Sequence, residues 1–196
     1  MIDSDVDNRH EDRREDLRED PREDPREHYF EEARHAREVL LGAAVRCKDL
    51  VPGAGRWSAV DNLQHCCIAE KSITGIFLRA ERIATSCEPM NEDRLSHERR
   101  FTSMALADRT RRVEAADRLV PVSAMSFDEV LAALEQSRTA LLNAVRAKSD
   151  LQLRSLVFAH PIRGDMSLYG WLWFVACHER RHAGQIEQIS GDSSRQ

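Results

Sequence analysis

The sequence predicts an all-α fold, a four-helix bundle with a long crossover between the second and third helices. Three observations carry this. Apolar residues recur at helical spacing in four stretches of about twenty residues, no segment alternates as a strand, and helix caps and breakers bound the stretches. The first helix runs from about Tyr29 to Leu50, with Phe30, Ala33, Leu40, Leu41 and Ala44 on one face, and Pro52, Gly53 and Gly55 end it. The second opens at Ser58, an N-cap answered by Asp61, and continues to about Ala84. Ser126 and Glu129 form the same box at the start of the third, which carries Val130, Leu131, Leu134, Leu141, Leu142 and Val145. The fourth begins near Ser167 and ends around Ile189, before Gly191.

The connections constrain the arrangement. About seven residues join the first two helices, which should therefore be antiparallel neighbours. Thr85 to Met125 is long enough to travel the length of a bundle, so the second and third helices can run parallel, with the crossover covering one side.

Composition narrows the function classes. A chain of 196 residues suits one domain with a sizeable core. Residues 1–28 read as a solvated, disordered tail. They carry twelve acidic and six basic residues, repeat "RED" with Leu or Pro, and are interrupted by Pro21 and Pro25. The bundle domain is expected over residues 29–190, with a short C-terminal tail at 191–196. Without the acidic tail the chain is near neutral, which argues against nucleic acid as a partner. No apolar run approaches the roughly 18 residues of a membrane span, and nothing at the N-terminus resembles a signal peptide. Five cysteines without a C-x-x-C pair indicate neither a disulfide framework nor a thiolate metal site, and free thiols fit a reducing cytoplasm.

The chemistry concentrates near the C-terminus. "CHERRHAGQ", from Cys177 to Gln185, contains H-E-x-x-H. At roughly 100° per residue, His178 and His182 lie in the middle of the apolar stripe of their helix, facing the core. His65 sits at the edge of the buried face of the second helix. Both sites fall about 10 Å from a helix end, so antiparallel second and fourth helices would bring all three imidazoles level. Buried imidazoles need partners, and a divalent metal would satisfy all three while leaving a coordination position open. The alternative for His65 is a satisfied core histidine. Glu70 lies on an apolar arc, where pairing, for instance with Arg37, is the structural reading, and a role as base near a metal is the chemical one. Glu179 is the second candidate proton acceptor. Cys66, Cys67 and Cys177 read as small buried hydrophobes, and His160, before Pro161, as a loop contact.

"RWSAVDNLQHCCIAE" (Arg56 to Glu70), "ADRTRRVEAADRLVP" in the crossover and "HPIRGDMSLYGWLWFVACHERRHAGQIEQI" (His160 to Ile189) resemble the larger branch of the DinB-like superfamily. The resemblance covers roughly residues 29–190. It implies an up-down-down-up bundle holding a divalent metal through His65, His178 and His182. It also implies a bacterial family that includes mycothiol- and bacillithiol-dependent transferases, a maleylpyruvate isomerase and metal-dependent hydrolases. The chain departs from that pattern in a shorter first loop and in Gly170, where a Gln is common.

The expected function is therefore metal-dependent small-molecule chemistry, thiol transfer or hydrolysis, with Glu70 or Glu179 as proton acceptor. Neutral imidazoles suit Zn, Ni, Fe or Mn alike, and the expected ion is Zn or Ni, with Fe or Mn the alternatives. A low-molecular-weight thiol is the expected cosubstrate, and a homodimer is compatible with the sequence. The alternative is a bundle that holds metal or ligand without turnover. A zinc peptidase is the remote reading, since the chain offers no downstream ligand helix after His182 and no strand to align a peptide.

Overall fold

The computed structural model describes residues 24–193, except 109, 111–113, 123 and 162. Four long helices form the bundle: α1 (Glu27–Cys47), α2 (Ala59–Ile83), α4 (Phe127–Arg146) and α6 (Leu168–Ser193). The expected capping boxes at Ser58–Asp61 and Ser126–Glu129 both form, and Ser149–Gln152 makes a third before the short α5 (Asp150–Ser155). Residues 1–23 of the expected tail lie outside the described residues. Its last residues belong to the fold: α1 starts at Glu27, and Arg26 donates to the carbonyls of Arg146 and Lys148 at the end of α4.

Helix directions follow from two core clusters. Tyr29 of α1, Ile73 to Ala80 of α2, Leu141 to Val145 of α4 and Leu168 to Val175 of α6 share one. Leu40 to Cys47 of α1, Ala59 to Cys67 of α2, Val130 and Leu134 of α4, and Ala183 to Ile189 of α6 share the other. Thus α1 and α6 run from the first cluster to the second, while α2 and α4 run back, the up-down-down-up order. The closest packing is α1 on α6 and α2 on α4. The first two helices, expected as neighbours from their short loop, touch less than either of those pairs. Alanines 33, 36, 43 and 44 line the buried face of α1 and permit its close approach to α6.

Two expectations need correction. The crossover contains a helix, α3 (Glu92–Ala107), capped by Asn91 and packed on α6, followed by a 3₁₀ turn at Asp117–Leu119. Only Leu95 and Thr102 of α3 are buried, so it has no apolar stripe to read. There are also strands: β1 (Thr85–Ser86), β2 (Leu156–His160) and β3 (Gly164–Ser167) form a small antiparallel sheet in the order β1-β2-β3. They are too short to display alternation, and β1 pairs with β2 across the whole of α3, α4 and α5. No helix among the described residues is long and apolar enough to cross a membrane.

Glu98 of α3 ties the crossover to α6. Its carboxylate accepts from the Ser167 amide at 2.8 Å and the Ser167 hydroxyl at 2.5 Å, where α6 begins and exposes unpaired N–H groups. A Cβ on Gly170 would stand 2.5 Å from the Glu98 carboxyl carbon, so the glycine leaves the space that this carboxylate occupies.

Candidate metal centre

The centre is built from one end of α2, the middle of α6 and the crossover. Ser58 starts α2, which places Asn62 and His65 one turn apart on its inner face. His178 and His182, four residues apart, share a face of α6. Nε2 of His178 lies 3.2 Å from Nε2 of His65 and 3.2 Å from Nε2 of His182. The three ligand atoms all fall within 4.8 Å of one another.

The far side of two rings fixes their tautomers. His65 Nδ1 lies 2.7 Å from the Leu119 carbonyl, which can only accept, so Nδ1 carries the proton. Asn62 spends its Nδ2 donor on the Ser58 carbonyl at 2.9 Å, which turns Oδ1 toward His182 Nδ1, also at 2.9 Å. His182 therefore donates from Nδ1 as well. The Nε2 atoms of His65 and His182 both present lone pairs to His178, whose Nε2 can donate to one of them only. At least one close nitrogen pair thus has no proton between its members, a repulsive arrangement that a shared cation converts into an attractive one. Two nitrogens on one zinc, at about 2.0–2.1 Å each, stand roughly 3.3 Å apart, which matches the spacing here. Hydrogen bonds from Nδ1 to carbonyl oxygens are the usual support of metal-binding imidazoles.

Burial keeps the rings neutral, the form that binds metal. His65 and His182 are buried, while His178 is half-buried and is the most accessible of the three. Burial, with a contribution from His65, holds His178 down to about 3. Burial likewise pushes His182 well below its ordinary value, and lowers His65 against the opposing pull of the Leu119 carbonyl. Trp57, just before the α2 cap, lies 4.9 Å from the His65 ring and stacks on His182 at 6.3 Å, while Phe174 stacks on His178 at 5.4 Å. Arg181 donates to the carbonyls of Leu106 and Asp108, fastening the end of α3 beside the histidine pair.

The two glutamates stand elsewhere in the core. Arg37 Nε donates to Glu179 at 2.8 Å and its Nη2 to Glu70 at 2.9 Å, while Arg138 Nε donates to Glu70 at 2.6 Å and its Nη2 lies 2.9 Å from Glu179. Ser137 also donates to Glu70. The pairing expected between Glu70 and Arg37 is present. The second arginine was not read from the sequence. Burial pulls the Arg37 guanidinium down, but the two carboxylates outweigh it and leave the group above its usual range. Each carboxylate is held by two guanidinium groups, so neither is free to swing toward the imidazoles.

His160 is not among the clustered ligands. It ends β2, accepts the Arg163 amide at Nδ1, and packs 5.2 Å from Trp171 and 4.8 Å from Phe174. Sequence reasoning missed Asn62, Trp57 and the Leu119 carbonyl. Asn62 had a readable signal, since it lies three residues before His65 on one helix face. The Leu119 carbonyl had none.

The chain matches the DinB superfamily over residues 30–186. It is similar to the crystal structure of TT2238, a four-helix bundle protein, at 20% identity, with 82% of this chain and 96% of that chain covered and a TM-score of 0.49. No curated protein matches it. With four helices, a three-histidine cluster compatible with metal binding, and a match spanning most of its length, the chain belongs to the DinB superfamily.

Proposed function

We propose that this protein is a metal-dependent small-molecule enzyme, a thiol transferase or hydrolase, whose divalent cation is held by His65, His178 and His182. The observation that carries the reading is the convergence of three Nε2 atoms while Nδ1 of two rings is already spent on oxygen acceptors. A bound zinc or nickel would supply Lewis acidity, lowering the pKa of a coordinated thiol or water. The chain's own residues do the rest. Asn62 and the Leu119 carbonyl orient the imidazoles, Trp57 and Phe174 wall them from water, and half-buried His178 marks the side from which a small substrate enters. Free, mostly buried cysteines support a reducing compartment, the cytoplasm, where a low-molecular-weight thiol is abundant.

We assign Glu70 and Glu179 a holding role rather than that of proton acceptor. The same ion pairs count against a zinc peptidase, whose glutamate must reach the water on its metal.

The test is elemental analysis together with turnover. His65→Ala, His178→Ala and His182→Ala should each lose most bound zinc or nickel, and His160→Ala should keep it. Full occupancy in His65→Ala would overturn the three-histidine assignment. The loaded protein should consume a thiol with an electrophile, or cleave a small ester or amide, and leave casein intact. Peptide cleavage abolished by Glu179→Gln would replace this reading with the peptidase. Inactivity toward both small-molecule classes, with metal retained, would leave a binding bundle.

A further inference from the structure

The 3₁₀ turn at Asp117–Leu119 lies against α2 with little to hold it there. Two backbone bonds close it, from the Leu119 amide to the Ala116 carbonyl at 2.7 Å and from the Val120 amide to the Asp117 carbonyl at 3.2 Å. None of its side chains is buried, and no side chain caps its start. Leu119, Val120 and Pro121 are half-buried, and Val122 is exposed. Among the described residues, one hydrogen bond joins residues 114–122 to a bundle helix, the 2.7 Å contact between the Leu119 carbonyl and Nδ1 of His65. The earlier part of the crossover is fastened differently. There the Arg181 guanidinium donates to the Leu106 and Asp108 carbonyls, and it keeps its charge whatever the state of the imidazoles. The hold on the turn alone runs through a ring of the three-histidine cluster.

That ring has two ways to place its proton. Metal-free, a neutral His65 can carry it on Nδ1, where it serves Leu119, or on Nε2, where it points to Nε2 of His178 at 3.2 Å. In the second form Nδ1 presents a lone pair to the carbonyl oxygen, and the turn loses its tether. With Nε2 engaged by a divalent cation, only the first form remains. The ring's Nδ1–H is then also a charge-assisted donor, which makes a stronger bond than a neutral imidazole does. Loading therefore removes the competing tautomer and strengthens the bond that survives.

We propose that the Asp117–Leu119 turn is a metal-responsive strap, drawn onto α2 when the three-histidine centre is loaded and released when it is empty, an inference that rests on the metal-centre reading. The coupling is reciprocal. A turn held more firmly by the loaded centre raises the affinity of that centre by the same factor. The difference between a neutral and a charge-assisted hydrogen bond corresponds to about tenfold in the equilibrium between attached and released turn.

Amide hydrogen exchange of the full-length protein, zinc-stripped and zinc-loaded at one pH, tests this. The Leu119 and Val120 amides, which close the turn, should exchange about tenfold more slowly with zinc. The Leu153 amide, which donates to the Ser149 carbonyl in the first turn of α5 beside the other core cluster, should change much less. Leu119→Gly loosens the turn without touching a histidine and should weaken zinc binding severalfold in chelator competition. Bound zinc with unchanged exchange at Leu119 and Val120 would overturn the strap and leave the metal centre standing. Equal slowing at Leu153 would overturn it as well, because zinc would then be stabilising the whole fold. Wild-type zinc affinity in a folded Leu119→Gly would remove the reciprocal half of the coupling and the proposal with it. A protein that binds no zinc would instead sink the metal reading on which the strap depends. The exchange comparison in the unmutated protein stands whether or not the variant folds.

Discussion

Asn62 shows how a neutral side chain sets the chemistry of its neighbours. Because Nδ2 is anchored on the Ser58 carbonyl, Oδ1 has one orientation, and it fixes the proton of His182 on Nδ1. Replacing it with Leu keeps approximate volume and removes that acceptor. Zinc affinity, measured by chelator competition, should then fall about 10–100-fold with little change in helicity. Unchanged affinity would mean that the ring is held by packing alone. The same burial makes stability pH-dependent in the metal-free protein. His65, His178, His182 and His160 are all lowered from an unfolded value near 6.5, with His178 at about 3 and His160 at about 4. Between pH 6.5 and those values the unfolded chain binds protons that the folded chain refuses. Stability is therefore full above pH 6.5 and is lost as pH falls. Melting temperature should drop from pH 7.5 to 5.5, less steeply in His178→Phe. A rise over that interval would contradict the neutral, buried state of the cluster.

At the scale of elements, α6 depends on a helix that does not belong to the bundle. Helix propensity alone would make Gly170→Ala stabilising by about 1 kcal/mol. Here the added Cβ would evict Glu98, and loss of its charge-assisted bonds to Ser167 removes about 1.5–3 kcal/mol. The net expectation is a modest loss of stability in Gly170→Ala that disappears or reverses in a Glu98→Ala background. A double-mutant cycle by thermal melting checks the coupling; additive effects would show that Glu98 does not need the glycine. This contact also explains what was legible in the sequence. Four helices announced themselves because each buries a continuous stripe and two begin with a capping box. By contrast, α3 buries only Leu95 and Thr102, and its signals, Asn91 followed by Glu92 and Asp93, are local and weak. The three histidines could be placed by angle and height, which depend only on helix geometry. Leu119 and Glu98 could not, because a carbonyl or carboxylate that reaches across the crossover leaves no periodic trace. Gly170 stood out as a departure, but its reason lies on another helix.

Across the whole molecule, the core is divided by a layer of charge. Arg37, Glu70, Arg138 and Glu179 come one from each bundle helix, and each lies between the residues its helix gives to the two apolar clusters. Two positive and two negative groups meet there, so the layer is balanced as a set and unbalanced by any single loss. Arg138→Met should cost about 3–5 kcal/mol, since it strands two buried carboxylates on one guanidinium. Replacing all four with apolar residues, Arg37→Met, Glu70→Leu, Arg138→Met and Glu179→Leu, should recover most of that loss, because no desolvated charge remains. What the apolar version lacks is a reason for the helices to stop at one register. Apolar surfaces tolerate a shift along the axis, whereas the four-group layer closes only when all four helices are level. His65 on α2 and the His178–His182 pair on α6 meet only at that register. The fourfold variant is therefore expected to match the wild type in chemical denaturation yet bind zinc more weakly in chelator competition. Wild-type zinc affinity in a stable fourfold variant would show that packing alone sets the register, and that the charged layer has no part in aligning the site.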